Sequence, residues 1–331
     1  MSFTGRPKVA VVGIGRMGRL HIRVLDKMGA LHSIVETDKT IADDCGKRYG
    51  IPTYPSIEEL MESNKPDAVI LSVPTSLHYS MSKELLSKYD LKGLLIEKPI
   101  TETLEEAEKL ITLAKTKKTI IQVGHIEIYN PVVTRMLTML EEGAIGELRT
   151  VKIERRGAVP EQRISSLGDV LEDIGVHDLD LISRLVKGEI NLYCTGILVD
   201  GVQNSAQIIL SNKSDFNGHI ILSRQFAGKR RTIEIEGTRG TMFIDLLAQI
   251  IEMKSLEIIY GEEKAVRVSF KSGGFVKVYG EPLQEELEDF LASIQTGQQP
   301  KVDINQGYTA LRLVYECRRS LKEQKVIKVT F

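Results

Sequence analysis

The sequence has 331 residues, which is long enough for two domains of roughly 150 residues each. Its 44 Lys and Arg residues against 45 Asp and Glu residues give a formal net charge of −1, so no overall positive field draws the chain to nucleic acid or to an anionic membrane. A hydrophobic share of 42% without any biased tract excludes wholesale disorder. We therefore expect a soluble globular protein whose partners include neither nucleic acid nor a membrane.

The three cysteines, Cys45, Cys194 and Cys317, are far apart and form no CxxC pair, which argues against a disulfide framework or a structural zinc site. Residues 1–8 are polar and pass directly into an apolar run, so no signal or transit peptide is visible. No apolar run approaches the length that spans a membrane. These features predict a cytoplasmic protein without a bound metal.

Up to residue 125, short β-branched runs alternate with amphipathic segments, which is the pattern of βαβ units around a parallel sheet. The runs are nearly continuous in apolar residues, as strands covered on both faces should be. We predict strands at 8–12, 33–36, 68–73, 93–97 and 119–123. We predict helices at 16–28, 41–49, 57–62, 77–89 and 104–115. Thr103 and Glu106 predict a capping box at the start of the last helix. Residues 1–125 are therefore predicted to be a doubly wound parallel-sheet domain.

Residues 126–331 are predicted to form a second domain of a different kind. Strand patterns begin at 148–155 and continue to about 279, interrupted by one helical segment at 170–185. At 232–237 every second residue is apolar, which is typical of an antiparallel strand with one buried face. Helical periodicity returns at 281–294 and 305–321. We predict an open, mostly antiparallel sheet backed by helices, with the last helices packed on either domain.

A glycine-rich turn follows the first predicted strand. Residues 8–18 read Lys-Val-Ala-Val-Val-Gly-Ile-Gly-Arg-Met-Gly, which places G-x-G-x-x-G between a strand and a helix. Gly13 allows the tight turn, Gly15 lets the backbone approach a pyrophosphate, and Gly18 lets the helix and strand pack closely. The helix N-terminus supplies N–H donors for that anion. The sequence therefore predicts a Rossmann dinucleotide-binding domain.

An acidic residue follows the next predicted strand at the spacing of a ribose-binding carboxylate. Glu36 lies 18 residues beyond Gly18, near the roughly 20 residues typical of this fold. A carboxylate accepts hydrogen bonds from a ribose 2′-hydroxyl and repels a 2′-phosphate. We therefore predict NAD as the cofactor in preference to NADP, with Asp38 as the alternative acid and Lys39 as a residue that softens the repulsion.

Several further motifs occur in a fixed order along the chain. They are Val-Pro-Thr-Ser-Leu-His at 73–78, Leu-Leu-Ile-Glu-Lys-Pro at 94–99, Val-Gly-His at 123–125, Tyr-Asn-Pro at 129–131, Leu-Glu-Asp-Ile-Gly-Val-His-Asp-Leu-Asp at 171–180 and Ile-Glu-Gly-Thr-Arg-Gly at 235–240. With the glycine turn, this set resembles the glucose-fructose oxidoreductase/inositol dehydrogenase/rhizopine catabolism (Gfo/Idh/MocA) family over nearly the whole chain. The resemblance implies a nicotinamide-dependent dehydrogenase that acts on a CH–OH group of a sugar, cyclitol or sugar nucleotide.

The same resemblance assigns Lys98, Asp173 and His177 to catalysis. His177 is the candidate base, because an imidazole titrates near working pH and can take the hydroxyl proton. Lys98 would donate a hydrogen bond to the reacting oxygen. Asp173 lies four residues before His177, on the same face of a predicted helix, and would orient the substrate or the imidazole. Asp180 is the alternative orienting group.

The resemblance also implies binding residues. The predicted cofactor-binding residues, besides the three glycines and Glu36, are Arg16, Met17, Val73, Pro74, Thr75, His78, Glu97 and Lys98. The predicted substrate-binding residues are Lys98, His125, Arg156, Arg163, Asp173 and His177. A capping or packing role is the alternative for His78, and Glu97 is expected to shape the cofactor pocket rather than to ionise in catalysis. His21, His32 and His219 are assigned to structural or exposed positions.

The sequences at 124–131 and 281–290 are most similar to those of family members that oxidise the 3-hydroxyl of UDP-N-acetylglucosamine-type sugars. Arg155, Arg156 and Arg163 could bind a diphosphate, since guanidinium groups match phosphate oxygens. A solvated basic face is the alternative. The stretch 165–170 is less apolar than in those members, so a free sugar or inositol is the second substrate class.

Two other functions share this fold. One is a catalytically silent NAD-binding regulator. The presence of Lys98, Asp173 and His177 argues against this function. The other uses NAD transiently to assist glycoside cleavage. The alternating strands of the second domain predict a broad sheet face that needs covering, and we expect a homodimer or homotetramer formed through it.

Overall fold

The computed structural model describes residues 5–160, 168–212, 215–260 and 266–330. Its contacts divide the chain into two units. The first unit comprises Met1–Ile126 and Pro282–Leu311, and the second comprises Glu127–Glu281 and Arg312–Phe331. The segment Pro282–Leu311, although distant in sequence, therefore groups with the amino-terminal part of the chain.

The first unit contains a parallel sheet, as its continuous apolar runs predict. Its strands are β1 (Val9–Val12), β2 (Leu31–Val35), β3 (Thr53–Tyr54), β4 (Ala68–Leu71), β5 (Gly93–Glu97) and β6 (Ile120–Gly124). They pair in the order β3-β2-β1-β4-β5-β6, and every neighbouring pair is parallel. Every residue of β1, β4, β5 and β6 is buried. Because the strand order reverses beside β1, the carboxyl ends of β1 and β4 flank the switch point where such sheets bind ligands.

The helices between these strands are α1 (Arg16–Met28), α2 (Lys39–Tyr49), α3 (Ile57–Ser63), α4 (Thr75–Lys88) and α5 (Leu104–Ala114). The predicted capping box is confirmed at α5. The Thr103 hydroxyl accepts a hydrogen bond from the backbone N–H of Glu106, and the Glu106 carboxylate accepts one from the backbone N–H of Thr103. The predicted helix at 16–28 has the observed bounds of α1.

The second unit contains a larger, mostly antiparallel sheet. Its strands are β7 (Leu148–Ala158), β8 (Glu189–Val199), β9 (Val202–Ser211), β10 (Asn217–Ser223), β11 (Gln225–Gly237), β12 (Gly240–Asp245), β13 (Ile250–Tyr260), β14 (Val266–Lys277) and β15 (Ile327–Thr330). They pair in the order β14-β13-β12-β11-β7-β10-β9-β8-β15, and only the β7–β10 pair is parallel among the described strands. In β11, Ile233 and Ile235 are buried whereas Glu234 and Glu236 are exposed, which confirms the predicted alternation.

One predicted helix is divided in two. We expected a single helix at 170–185, but Leu171–Gly175 forms a π-helical turn and α7 spans Val176–Leu185. The π-turn lies where Gly175 comes close to the sheet, since a Cβ there would be 2.6 Å from a methyl group of Leu222. Asp173 therefore lies in the π-turn and His177 in α7, so the two are not joined by the one regular α-helix that was expected.

The remaining helices are α6 (Pro131–Glu141), α8 (Pro282–Thr296) and α9 (Ile304–Glu323). The predicted segments 281–294 and 305–321 match α8 and α9 to within about two residues, the usual precision of helix ends. The sequence reading missed β3, α6 and β15, of which two are strands of four residues or fewer. Across the described ranges, none of the helices has both the length and the apolarity that crossing a membrane requires.

Candidate active site

The glycine turn joins β1 to α1, and two of its glycines are required by contacts within the chain. Gly13 adopts a φ of +89°, and a Cβ on it would lie 2.8 Å from the carbonyl oxygen of Ser72. A Cβ on Gly18 would lie 1.9 Å from the carbonyl oxygen of Gly13. A Cβ on Gly15 would lie 3.8 Å from the carbonyl oxygen of Ser72, which is only an ordinary van der Waals contact. The turn is therefore tight on the protein side and accessible to a ligand at Gly15.

A cleft of about 480 Å³ opens beside this turn. Its walls come from the ends of β1, β2 and β4 and from the starts of α3 and α4. The predicted cofactor residues that line it are Gly13, Gly15, Glu36, Val73 and Pro74. Those that lie outside its described walls are Arg16, Met17, Gly18, Thr75, His78, Glu97 and Lys98. A cleft of this volume at the switch point suits a nucleotide.

Glu36 places an anionic carboxylate on the rim of the cleft. Its Oε2 accepts a hydrogen bond of 2.8 Å from the backbone N–H of Ile14, and its Oε1 accepts one of 3.1 Å from that of Asp38. Burial opposes the charge, yet these hydrogen bonds hold the pKa of Glu36 below its usual value. The alternative acid, Asp38, instead accepts hydrogen bonds from Thr40 and Ile41 as the N-cap of α2.

The segment that carries Lys98 is held by two buried histidines. Glu97 ends β5, and its Oε1 lies 2.7 Å from Nε2 of His21 while its Oε2 accepts a hydrogen bond from the backbone N–H of Lys98. On the other side, Nδ1 of His78 lies 2.8 Å from the carbonyl oxygen of Pro99. Nε2 of His78 lies 3.0 Å from the carbonyl oxygen of Val73. These contacts fix the Glu-Lys-Pro segment at the carboxyl end of β5.

Two sets of contacts hold Asp173 in place, one at its carboxylate and one at the amino-terminal end of its π-turn. Arg224, which is buried, approaches the Asp173 carboxylate to 3.4 Å and donates hydrogen bonds to the carbonyl oxygens of Gly168 and Gln203. At the start of the turn, the Asp169 carboxylate accepts a hydrogen bond from the backbone N–H of Glu172. Arg318 donates to Asp169 at 2.6 Å. The turn that bears Asp173 is thus held at its amino-terminal end and through the Asp173 carboxylate.

The contacts of Arg155 contradict the hypothesis that this residue binds a diphosphate. Its guanidinium is buried and donates to both carboxylate oxygens of Asp178, at 2.8 to 3.0 Å, and to Glu127 at 3.3 Å. Burial disfavours the charge, but Asp178 and Glu127 raise the pKa of Arg155 further above its ordinary value. Arg155 is therefore committed to a buried ion pair and is not available to bind a diphosphate. That pair fixes α7 directly beside His177.

A second cleft, of about 440 Å³, lies wholly within the second unit. Its charged lining residues are Arg155, Arg156, Asp173, Arg224, Lys229 and Arg231. Arg156 donates to Glu154, and its guanidinium stacks on the ring of Phe226, 4.4 Å from the ring centre. Arg231 lies 3.4 Å from Glu127. Five of the six charged lining residues are basic, and three of these, Arg156, Lys229 and Arg231, are not buried, so the part of the cleft open to a ligand is basic.

The other predicted residues are placed as follows. His125 is buried in the first unit, just after β6, and Lys98 belongs to the same unit, whereas Arg156, Asp173 and His177 belong to the second. Arg163 lies outside the described residues. The alternative orienting group, Asp180, is buried with its carboxylate 3.3 Å from Arg184. Within the described ranges, no three His, Cys, Asp or Glu side chains gather as a metal site.

Sequence reasoning missed two supporting residues. His21 was assigned only to a structural or exposed position, and the structure shows it buried against Glu97. Its spacing of three from Gly18 and four from Leu25, on the buried face of α1, is the signal that could have placed it in the interior. Arg224 lacked such a signal, because its partner Asp173 is 51 residues away.

A Rossmann sheet with an open glycine turn and an acidic cleft rim defines a dinucleotide-binding protein. Comparison with known families agrees: residues 7–125 match the oxidoreductase family with an NAD-binding Rossmann fold, and residues 133–243 match the GFO/IDH/MocA C-terminal domain. The chain belongs to the Gfo/Idh/MocA oxidoreductase family, and NAD is its cofactor. Gly15, which lines the cleft, and the carboxylate of Glu36 fit that cofactor.

Individual relatives are distant in sequence. The chain is 25% identical to myo-inositol 2-dehydrogenase of Thermotoga maritima, with 97% of this chain and 98% of that protein covered. It is 27% identical to UDP-N-acetylglucosamine 3-dehydrogenase of Acidithiobacillus ferrooxidans over 55% of each chain. The crystal structure of the latter enzyme superimposes with a TM-score of 0.82, at 22% identity, covering 97% of this chain and 99% of that one. The structure of a levoglucosan dehydrogenase in complex with NADH and levoglucosan superimposes with a TM-score of 0.82 at 18% identity. This superposition covers 98% of this chain and 100% of that one.

The Glu36 carboxylate is expected to determine which of the two nicotinamide cofactors binds more tightly. We expect Glu36→Gln to reduce the preference for NADH over NADPH by about tenfold or more, because the charge that repels a 2′-phosphate is removed. Dissociation constants of the two reduced cofactors, measured by nicotinamide fluorescence, give the ratio. Glu62→Gln, an exposed charge removal on α3, is the matched control. An unchanged ratio in Glu36→Gln would assign cofactor choice to other residues.

Proposed function

We propose that the protein is an NAD-dependent dehydrogenase of a sugar nucleotide, acting on the 3-hydroxyl of a UDP-N-acetylglucosamine-like substrate. The observation that carries this choice is the second cleft, which we call the basic cleft, where Arg156, Lys229 and Arg231 lie beside Asp173 and are not buried. A neutral cyclitol offers no partner for such a set of charges, whereas a diphosphate does. The likeness to the Acidithiobacillus ferrooxidans enzyme supports the same substrate class.

In the proposed reaction three side chains act on the substrate. When bound, NAD supplies the nicotinamide carbon that accepts the hydride. His177 takes the hydroxyl proton as the hydride leaves, and Lys98 donates a hydrogen bond that stabilises charge on the same oxygen. Asp173, held by Arg224, orients the substrate hydroxyl. In the reducing direction the same groups return the proton.

The diphosphate is assigned to Arg156, Lys229 and Arg231 of the basic cleft. Arg155 and Arg224 are excluded from this role because their guanidinium groups are buried in contacts with Asp178 and Asp173. Arg156 is stacked on Phe226, which orders the guanidinium before a phosphate arrives. In this cleft Arg155 and Arg224 therefore stabilise the fold, whereas Arg156, Lys229 and Arg231 are assigned to bind the ligand.

The test is the absorbance of reduced nicotinamide, with purified protein, NAD and a panel of UDP-sugars, free sugars and inositols. A sample is denatured first to find bound cofactor, which would mask turnover. We expect a signal with UDP-N-acetylglucosamine. A signal only with free sugars or inositol would overturn the sugar-nucleotide choice while leaving the dehydrogenase intact.

Arg156→Met tests the diphosphate assignment. We expect the KM for the UDP-sugar to rise about 10- to 100-fold, since a hydrogen bond between charged groups contributes about 1.5–3 kcal/mol, while kcat changes little. Arg149→Met is the control, because Arg149 lies on the same strand and pairs with Glu147 at the surface. An Arg156→Met enzyme with the KM of the control would contradict the assignment.

Inositol is the second candidate substrate. The relatives that match this chain over nearly their whole lengths include myo-inositol 2-dehydrogenase of Thermotoga maritima and inositol 2-dehydrogenase of Rhizobium meliloti, each at 25% identity. The inositol arm of the panel distinguishes the two substrates, because inositol would be oxidised with a KM that Arg156→Met leaves unchanged.

We also propose that the protein forms a homodimer or homotetramer through the sheet of the second unit. Strands of this sheet expose large apolar side chains, and an apolar surface of this kind usually marks an interface. The exposed residues include Ile197, Leu198, Ile209, Phe243 and Phe275. Light scattering coupled to gel filtration tests this, and a monomer at micromolar concentration would contradict it.

A further inference from the structure

A carboxyl group is buried in the first unit without any partner for its charge. Glu286 lies on α8 and is fully buried. Its backbone carbonyl accepts a hydrogen bond of 3.0 Å from the side-chain amide of Gln122. Among the described residues, neither side-chain oxygen of Glu286 has a hydrogen-bond partner. An ionised carboxylate in such a place would cost several kcal/mol, so burial alone favours the neutral acid.

The groups that face Glu286 make a second negative charge still less favourable. Glu97 faces it from β5 and already uses both oxygens, on His21 of α1 and on the backbone N–H of Lys98. Asp289 faces it from its own helix, and β6 contributes only the neutral Gln122. Burial raises the pKa of the Glu286 carboxyl well above its usual range, and the charges of Glu97 and Asp289 raise it further.

We propose that Glu286 is a positioning residue that stays a neutral carboxylic acid, which leaves Glu97 as the charged carboxylate that holds His21 and the Lys98 backbone. If Glu286 were ionised, two carboxylates would compete in one apolar interior, and one of them would have to take up a proton. The neutral acid thereby keeps the Glu-Lys-Pro segment in one arrangement. The connection to turnover rests on the proposed function, whereas the protonation state does not.

Infrared spectroscopy tests the protonation state without any substrate. At pH 7 we expect the difference spectrum between the wild-type protein and Glu286→Gln to contain the carbonyl stretch of a protonated carboxylic acid. Glu285→Gln, an exposed change on the same helix, should lack it and show a carboxylate band instead. A carboxylate band at Glu286 would overturn the proposal.

Thermal unfolding gives an independent readout. Below the usual carboxyl pKa both states of the wild-type protein are protonated at Glu286. As the pH rises from about 5 to about 8, the unfolded chain releases this proton and the folded protein retains it, so the wild type loses stability relative to Glu286→Gln. We expect the difference in Tm to widen in the variant's favour over this range. A difference independent of pH would contradict the proposal.

A variant of Glu97 keeps the test decisive if Glu286→Gln fails to fold. In Glu97→Gln the facing charge is removed, so the carboxylic acid band of Glu286 should titrate at lower pH than in the wild type. An unchanged midpoint would show that the two groups are uncoupled. For turnover, we expect Glu286→Gln to keep kcat within about threefold at pH 7 and Glu97→Gln to lose about tenfold or more. Suppose that Glu286→Gln loses kcat although the wild type shows the acid band. That result would refute the positioning role and would leave the protonation state of Glu286 standing.

Discussion

Lys98→Met is expected to lower kcat by a factor of about 100 to 10,000 while leaving the affinity for NAD within about threefold. The donor that meets the reacting oxygen is lost, but the glycine turn and Glu36, which make up the cofactor cleft, are unaltered. Stopped-flow measurement of reduced nicotinamide gives kcat, and isothermal titration calorimetry gives the NAD affinity. The two readouts together separate a chemical role from a binding role.

The matched control for Lys98 is Lys92→Met. Lys92 lies just before β5, at the opposite end of the strand, and pairs with Asp67 at the surface. This variant should keep both kcat and NAD affinity. A Lys98→Met enzyme as active as the Lys92→Met control would show that the proposed site is wrong, whatever the substrate.

Arg155→Met is expected to destabilise the folded protein by about 3–5 kcal/mol, because it leaves the Asp178 carboxylate buried without its guanidinium. Urea unfolding measures the change. Burial raises the pKa of Asp178 above its unfolded value even with Arg155 in place, and loss of the guanidinium should raise it further. A raised folded-state pKa favours folding at low pH, so the variant should regain more stability than the wild type as the pH falls.

Two comparisons make the Arg155 result specific. Arg149→Met removes an arginine from the same strand, where it pairs with Glu147 at the surface, and should cost less than about 1 kcal/mol. The double change Arg155→Met/Asp178→Leu removes both charges of the pair and should recover most of the lost stability. If Arg155→Met costs no more than Arg149→Met, the buried pair does not hold α7 in place.

The first unit was largely predictable from the sequence because its signals are local. Continuous apolar strands, the glycine turn and the capping box at Thr103 each depend on residues a few positions apart, and all are found in the structure. The grouping of α8 with this unit depends instead on contacts between residues distant in sequence. Glu286 meets Gln122 across 164 positions, and no periodicity within α8 identifies that partner.

The second unit shows the same limit at its candidate site. The D-x-x-x-H motif located Asp173 and His177, but helical periodicity could not reveal the π-turn, which is associated with the close contact between Gly175 and Leu222. Arg155 and Arg156 are adjacent in sequence and alternate in direction along β7, so the guanidinium of one is buried on Asp178 and that of the other stacks on Phe226 in the basic cleft. Their different roles follow from partners that lie in other elements.

We propose that a hydride passes between a sugar-nucleotide carbon and NAD. The most direct test uses UDP-N-acetylglucosamine carrying deuterium at carbon 3, with mass spectrometry of both free and protein-bound nicotinamide after one turnover. We expect reduced cofactor that contains the deuterium from the wild-type protein, and far less of it in the same time from Lys98→Met. Deuterium that stays on the sugar in the presence of NAD-loaded wild-type protein would contradict the claim.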